Sequence, residues 1–336
     1  MKMLNMYKNG NYKVMICDDG TKIRFNNEDS FKPEFPESID MKITNKCPYA
    51  CPYCHEKSTP DGVAADLVVT KKGEPVGNVN DYAIQDLRLK YKFFDTLTPG
   101  TEIAIGGGAV TTHPQLEAFL MLLKNKGIIA NMTINERELF TNMDLVISLL
   151  NKKLVNGLGI SYVEGYNHAY LNNILDVSDN IVIHLIAGIA DKWTFKDLRD
   201  KNRKILILGY KEFRNGIAYH SKNYKTIDQN IAWLKENLKN LIDEGAFDTI
   251  SFDNLAIKQL DVESAMSSDI FKKMYMGDDG QFTMYIDLPN NQYAFSSIAP
   301  LNKRYEIVDD IKEMFKNVSS DTTGTEDLEL NGKPKG

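Results

Sequence analysis

Cys47-Pro48-Tyr49-Ala50-Cys51-Pro52-Tyr53-Cys54 places three of the chain's four cysteines within eight residues, directly after a strand-like run at 39–44. A disulfide framework would spread its pairs along the chain, so sulfur used this locally marks chemistry at one site. The fourth cysteine, Cys17, lies on a strand-like run near the N-terminus and reads as a buried structural residue. Zinc held structurally needs four protein ligands, and no second Cys or His pair accompanies the three. Three thiolates instead leave a [4Fe-4S] cubane one protein ligand short, which keeps one iron open to an exogenous ligand.

Outward from this loop the chain alternates. Strand-like runs at 39–44, 102–105, 128–134, 157–162, 181–186 and 205–208 are separated by helical patterns, such as Leu116, Phe119, Leu120 and Leu123 ahead of Lys126-Gly127. Six strands with intervening helices predict a parallel α/β sheet curled into a partial (β/α)6 TIM-like barrel. In such a fold the loops leaving the C-terminal strand ends form the active site, and the cysteine loop follows the first strand.

Four segments are expected. Residues 1–37 form an N-terminal β-hairpin and connector, 38–212 the core barrel, 213–318 C-terminal helices, a strand and a hairpin that complete or cap the barrel, and 319–336 a disordered tail. Within the third segment a helix is expected over 226–243, a strand over 249–255 and a hairpin over 277–297. Residues 61–82, with Gly62, Gly73, Pro75 and Gly77, read as a loop or small hairpin near the mouth, either a lid or surface decoration.

Composition bounds the function. Forty basic against 46 acidic groups give a net charge of −6 with no long basic run, which is no footprint for non-specific nucleic-acid binding. No apolar leader core and no stretch of 18 apolar residues is present, so a cytoplasmic protein without a membrane span is expected. A Walker loop and a dinucleotide fingerprint are absent, since the triple glycine at 106–108 lacks the further glycine of G-x-G-x-x-G. His55-Glu56 lacks the partner an acid-base triad needs and is expected at the surface or flanking the cluster.

The spacing Cys47-x3-Cys51-x2-Cys54 with Tyr53 resembles the signature of the radical S-adenosylmethionine superfamily. The resemblance implies a single-cluster enzyme in which Cys47, Cys51 and Cys54 hold the [4Fe-4S] cluster and S-adenosylmethionine chelates the open iron. One-electron cleavage of that cofactor then gives a 5′-deoxyadenosyl radical, which abstracts a hydrogen atom from the substrate. Gly106, Gly107 and Gly108 stand where the family commonly has Gly-Gly-Glu, with Gly108 in the acidic position. Tyr53, Asn135, Ser161, His184, Gly188 and Gly209 fall where the family contacts the rest of the cofactor, and Lys211 follows at the barrel mouth. No cysteine follows Cys54, so no auxiliary cluster is expected, and an external one-electron donor of the flavodoxin or ferredoxin type is implied. The C-terminal hairpin resembles the start of the accessory domain of peptide-modifying members, which favours a peptide or protein side chain as substrate. A nucleotide or small metabolite, or a redox-sensing or interaction module without turnover, are the alternatives.

Overall fold

The computed structural model describes residues 2–28 and 30–322. In chain order, β1 (Met3–Asn9), β2 (Tyr12–Cys17) and β3 (Lys22–Phe25) precede β4 (Ser38–Thr44). The cysteine loop follows, then β5 (Val68–Thr70), β6 (Leu87–Leu89) and β7 (Glu102–Gly107). Next come α1 (Leu116–Asn125), β8 (Ile129–Asn135), α2 (Leu139–Asn151), β9 (Leu158–Ser161), α3 (Ala169–Leu175), β10 (Ile181–Ile186), α4 (Lys192–Leu198) and β11 (Lys204–Leu208). The remainder is α5 (Asn215–Asp243), β12 (Thr249–Phe252), α6 (Asn254–Leu260), α7 (Ser268–Met274), β13 (Thr283–Asp287), β14 (Gln292–Ala294), β15 (Tyr305–Glu306) and α8 (Ile311–Thr322).

A ten-stranded sheet in the order β12-β11-β10-β9-β8-β7-β4-β13-β14-β15 dominates the described residues. From β12 through β13 every neighbouring pair is parallel, and β14 and β15 add antiparallel strands at one edge. The strands from β4 to β12 lie side by side in chain order, without the reversal that splits a doubly wound sheet. Ile39, Met41 and Ile43 of β4, Ile103 and Ile105 of β7, Ile181, Ile183 and Leu185 of β10, and Ile205 and Ile207 of β11 are buried in one core with the helices. Alternating with the core positions along β4, β7, β8, β9 and β10 are polar or small residues: Asp40 and Lys42, Ala104 and Gly106, Thr133 and Asn135, Ser161, and His184. They turn to the other face and line a single cavity.

The flanks of the sheet are joined by side chains. Asn254, capping the helix after β12, donates to Asp279 before β13 at 2.7 Å, and Lys211 after β11 donates to Ser297 after β14 at 3.1 Å. The first strand of the hairpin predicted near 277–297, β13, pairs parallel with β4 beside the cysteine loop.

Four expectations are corrected. The N-terminal segment is a three-stranded antiparallel sheet rather than a hairpin, with β1 beginning at Met3, and Cys17 is buried at the end of β2. Residues 61–82 are not surface decoration. Leu67, Val68 and Val76 sit in the core, β5 pairs with β6, and the Gln115 side chain accepts from the Leu67 and Val68 amides at 2.7 and 3.0 Å. The polar stretch from Ser319 continues α8 as far as Thr322, and 323–336 lie outside the described residues. The helix expected at 226 begins at Asn215 instead, since exposed polar residues there leave no apolar stripe for periodicity to detect.

Glu37 fastens the N-terminal sheet to the main one. Its fully buried carboxylate accepts from the Tyr12 hydroxyl at 2.6 Å and Arg24 at 2.8 Å, while Lys22 bridges to Glu102 on β7 at 2.6 Å. Removing one partner from a buried pair strands the other charge, so Glu37→Ala is expected to lower unfolding free energy by about 3–5 kcal/mol in denaturant titration.

Candidate functional site

The three cysteines line a cavity of about 320 Å³ together with residues from β4, β7, β8, β9, β10 and β11. Cys51 and Cys54 close a turn, with the Cys54 amide donating to the Cys51 carbonyl at 3.1 Å, and Ala50 adopts positive φ just before it. The stem is held by backbone pairing: Cys47 N to Thr59 O at 2.8 Å, Thr59 N to Asn45 O at 3.0 Å, Gly108 N to Thr44 O at 2.7 Å and Ala109 N to Lys46 O at 2.8 Å. Two arginines grip the loop elsewhere. Arg137 reaches the Tyr49 carbonyl at 3.4 Å, and Arg214 donates to the Glu56 carbonyl at 2.9 Å.

The glycines divide their work. Nothing stands near the position a Cβ on Gly106 would take, so this residue opens the strand end to the cavity. A Cβ on Gly107, whose φ is +128°, would overlap the Thr44 carbonyl, and one on Gly108 would overlap the Lys46 carbonyl. The glycine at 108 therefore has a packing cause: β7 must touch the main chain entering the cysteine loop, and no side chain, acidic or otherwise, fits between.

Tyr53, Asn135, Ser161, His184 and Gly209 also line the cavity. Tyr53 packs edge-on to Tyr219 of α5, with ring centroids 5.6 Å apart. The Asn135 side chain caps the turn after β8 by accepting from the Arg137 amide at 3.1 Å, so its capping and cavity-facing readings hold together. His184 sits over Gly159, where any Cβ would strike the ring; burial lowers its pKa to about 4, so the imidazole is neutral at pH 7. The Gly209 amide already donates to Asp253 Oδ1 at 2.9 Å and the Tyr210 amide to Gln259 at 2.8 Å, which leaves neither N–H for a ligand. Gly188 is not among the cavity residues. It adopts φ +88°, a Cβ there would press on Ile227 of α5, and its carbonyl accepts from Asn230, so its smallness serves helix packing.

A buried charged group beside the cysteines was not legible in the sequence. Lys42, on β4, is 2% exposed and pairs with Glu56 at 2.6 Å and Asp287 of β13 at 3.2 Å. Glu56 also meets Arg214 at 3.2 Å and the Tyr285 hydroxyl at 3.0 Å, and His55 stands 3.5 Å from it. Of the two places expected for His55-Glu56, the surface does not hold for Glu56, whose side chain is buried beside the cysteines at the centre of this group. Burial opposes its charge, but the neighbouring His55, Lys42 and Arg214 outweigh burial and hold the carboxyl below its ordinary range. Two cations and two carboxylates balance, which makes the enclosure tolerable.

The donor set fits an iron–sulfur cubane better than a single ion. Among the described residues no three His, Cys, Asp or Glu side chains converge to hold one metal ion. A mononuclear site needs every donor near 2.3 Å from one point, whereas a cubane takes each thiolate on a separate iron. Burial raises the Cys47 and Cys51 thiols, so they must lose protons on binding metal.

Comparison with solved structures places the architecture. Streptococcus suis SuiB bound to S-adenosylmethionine matches over 95% of this chain and 90% of its own at TM-score 0.57 and 9% identity. The fold is that of SuiB. A second SuiB structure matches at TM-score 0.50 and 11% identity over 87% of this chain and 81% of its own. SuiB bound to its precursor peptide SuiA aligns at TM-score 0.45 and 12% identity over 78% of this chain, which spans 60% of that longer chain. No family model and no curated protein matches the sequence. SuiB binds S-adenosylmethionine on this fold, and here the cavity at the strand ends is the one the cysteines enter.

Two substitutions test the site's construction. Gly108→Ala is expected to cost about 1–3 kcal/mol of stability and to lower iron uptake on anaerobic reconstitution, read by denaturant titration and iron assay. Lys42→Met is expected to cost about 3–5 kcal/mol by stranding Asp287, with part recovered when Asp287→Leu is added.

Proposed function

We propose that the chain is a radical S-adenosylmethionine enzyme acting on a peptide or protein side chain. The observation that carries this reading is one cavity shared by three cysteines of the Cys-x3-Cys-x2-Cys loop and the small or polar ends of the five following parallel strands. The SuiB fold supports it. So does the curl of the sheet, which we read as a partial (β/α)6 barrel with its flanks tied by Asn254–Asp279 and Lys211–Ser297. On this reading 38–212 is the core, 213–318 completes it, and Asp40 to Ser297 of the cavity lie on the inner wall.

When bound, the cluster and S-adenosylmethionine supply one-electron cleavage to a 5′-deoxyadenosyl radical that takes a hydrogen atom from the substrate. The chain's residues set the conditions. Cys47, Cys51 and Cys54 hold three irons, and the loop position is fixed by the glycine contacts at 107 and 108 and by Arg137 and Arg214. Gly106 leaves its strand end open to the amino acid portion of the cofactor. Asn135, Ser161 and neutral His184 offer polar atoms to the ribose side, Gly209 offers a flat wall without a free amide, and Tyr53 shields the loop. Enclosure by six strands keeps water from a radical. Cys17, in the separate N-terminal sheet, supplies no second redox centre, so the electron comes from a flavodoxin- or ferredoxin-type donor. Tyr285 and Ser297 bring the C-terminal hairpin to the cavity wall, where it serves as the substrate platform.

Anaerobic reconstitution tests the proposal. Wild-type protein is expected to bind about four irons and, when reduced with S-adenosylmethionine, to release 5′-deoxyadenosine; Cys47→Ala is expected to lose both. A full cluster in Cys47→Ala, or no 5′-deoxyadenosine from wild type, refutes it.

A further inference from the structure

Where the flanks of the sheet meet, a second cavity of about 80 Å³ adjoins the first and shares Asp40, Lys211 and Ser297 with it. Asp253, Asn254 and Asp279 line its far side. Its charges do not balance, with three carboxylates facing one ammonium. Asp253 Oδ1 accepts from the Gly209 and Ala256 amides at 2.9 and 2.7 Å, and Asp279 Oδ1 accepts from Asn254 at 2.7 Å. Lys211 donates to Ser297 at 3.1 Å and forms no ion pair among the described residues.

Asp40 is different. It projects from β4 into the space shared by the two cavities, where its side chain is accessible, and its carboxylate has neither a hydrogen bond nor an ion pair among the described residues. Desolvation by the surrounding protein, opposed by Lys211 and reinforced by Asp279 and Asp253, raises its pKa to about 6. With Asp253 and Asp279 lining the same chamber against the single ammonium of Lys211, the accessible Asp40 carboxylate leaves the chamber with a net negative charge.

We propose that this chamber binds a cationic group of the substrate, an alkylammonium or guanidinium, and that Asp40 is the specificity-determining residue that meets it. The proposal rests on the radical reading only in taking the adjoining 320 Å³ cavity as the reaction chamber. A substrate anchored here by its positive end would lie with its remaining chain toward the cysteine loop, since Asp40 and Lys211 border both spaces.

Butylammonium and butylguanidinium are the probes, with butanol and butyrate as neutral and anionic controls, titrated into the full chain at low salt by calorimetry or ligand-observed NMR. Saturable binding of a cation is expected, at least tenfold tighter than either control. Asp40→Asn, which keeps shape and removes charge, is expected to weaken it at least tenfold. Should that variant fail to fold by circular dichroism, Asp279→Asn at the chamber's other wall replaces it, with a several-fold loss expected. Absence of cation binding, equal binding of butanol, or unchanged affinity in the folded variant overturns the proposal. The titration needs neither reduced cluster nor S-adenosylmethionine, so its failure and a failure to form 5′-deoxyadenosine are separate results.

Discussion

The carbonyl oxygens of Thr44 and Lys46 occupy the space that side chains on Gly107 and Gly108 would need, and the Asn45 carbonyl occupies that of Gly62. Main chain thus touches main chain on two sides of the segment entering the cysteine loop, and short hydrogen bonds from Gly108 and Ala109 lock the contact. Everything the loop presents depends on this, because a loop without secondary structure holds position only through what grips its ends. Three cysteine side chains aimed into one cavity keep their spacing only if the loop stem is fixed, and main-chain contact fixes it. Glycine is what permits it.

Around that contact the fold supplies opposite kinds of environment on the two faces of one sheet. On the helix side, Ile, Leu, Val and Met fill a continuous core. On the other side, the strands present Asp40, Lys42, Gly106, Thr133, Asn135, Ser161 and His184, which line one cavity. Such a face is costly unless its polar groups are satisfied. Lys42 is neutralised together with Glu56, Asp287 and Arg214, and Asn135 caps a turn. Asp40 is the carboxylate of this face and has no ion pair among the described residues; it stands at the border between two cavities.

The C-terminal third of the chain closes the arrangement. β13 pairs with β4 in parallel, which brings Tyr285 and Asp287 against Glu56 and Lys42. The hairpin is thereby built into the wall of the cysteine cavity, and the charge cluster at its base couples loop placement to the docking of residues more than 200 positions away.

The sequence by itself determined the cysteine spacing, the strand and helix alternation from 39 to 208, and the positions of Gly106, Asn135 and Ser161 near strand ends, with Tyr53 in the loop and His184 within a strand. These are local signals: periodicity of 2 or 3.6 residues, turn residues, and ligand spacing within one loop survive in a one-dimensional reading. Only tertiary structure decided that Gly188 faces α5, that the Gly209 amide is occupied, that Gly108 is a packing glycine, and that Glu56 is buried among cations. Each depends on a partner from a distant element. Lys42 and Asp287 are 245 residues apart, and no periodicity links them. Pairing of that range is set by how a whole sheet curls, and a single strand's residues carry no record of which face will be closed.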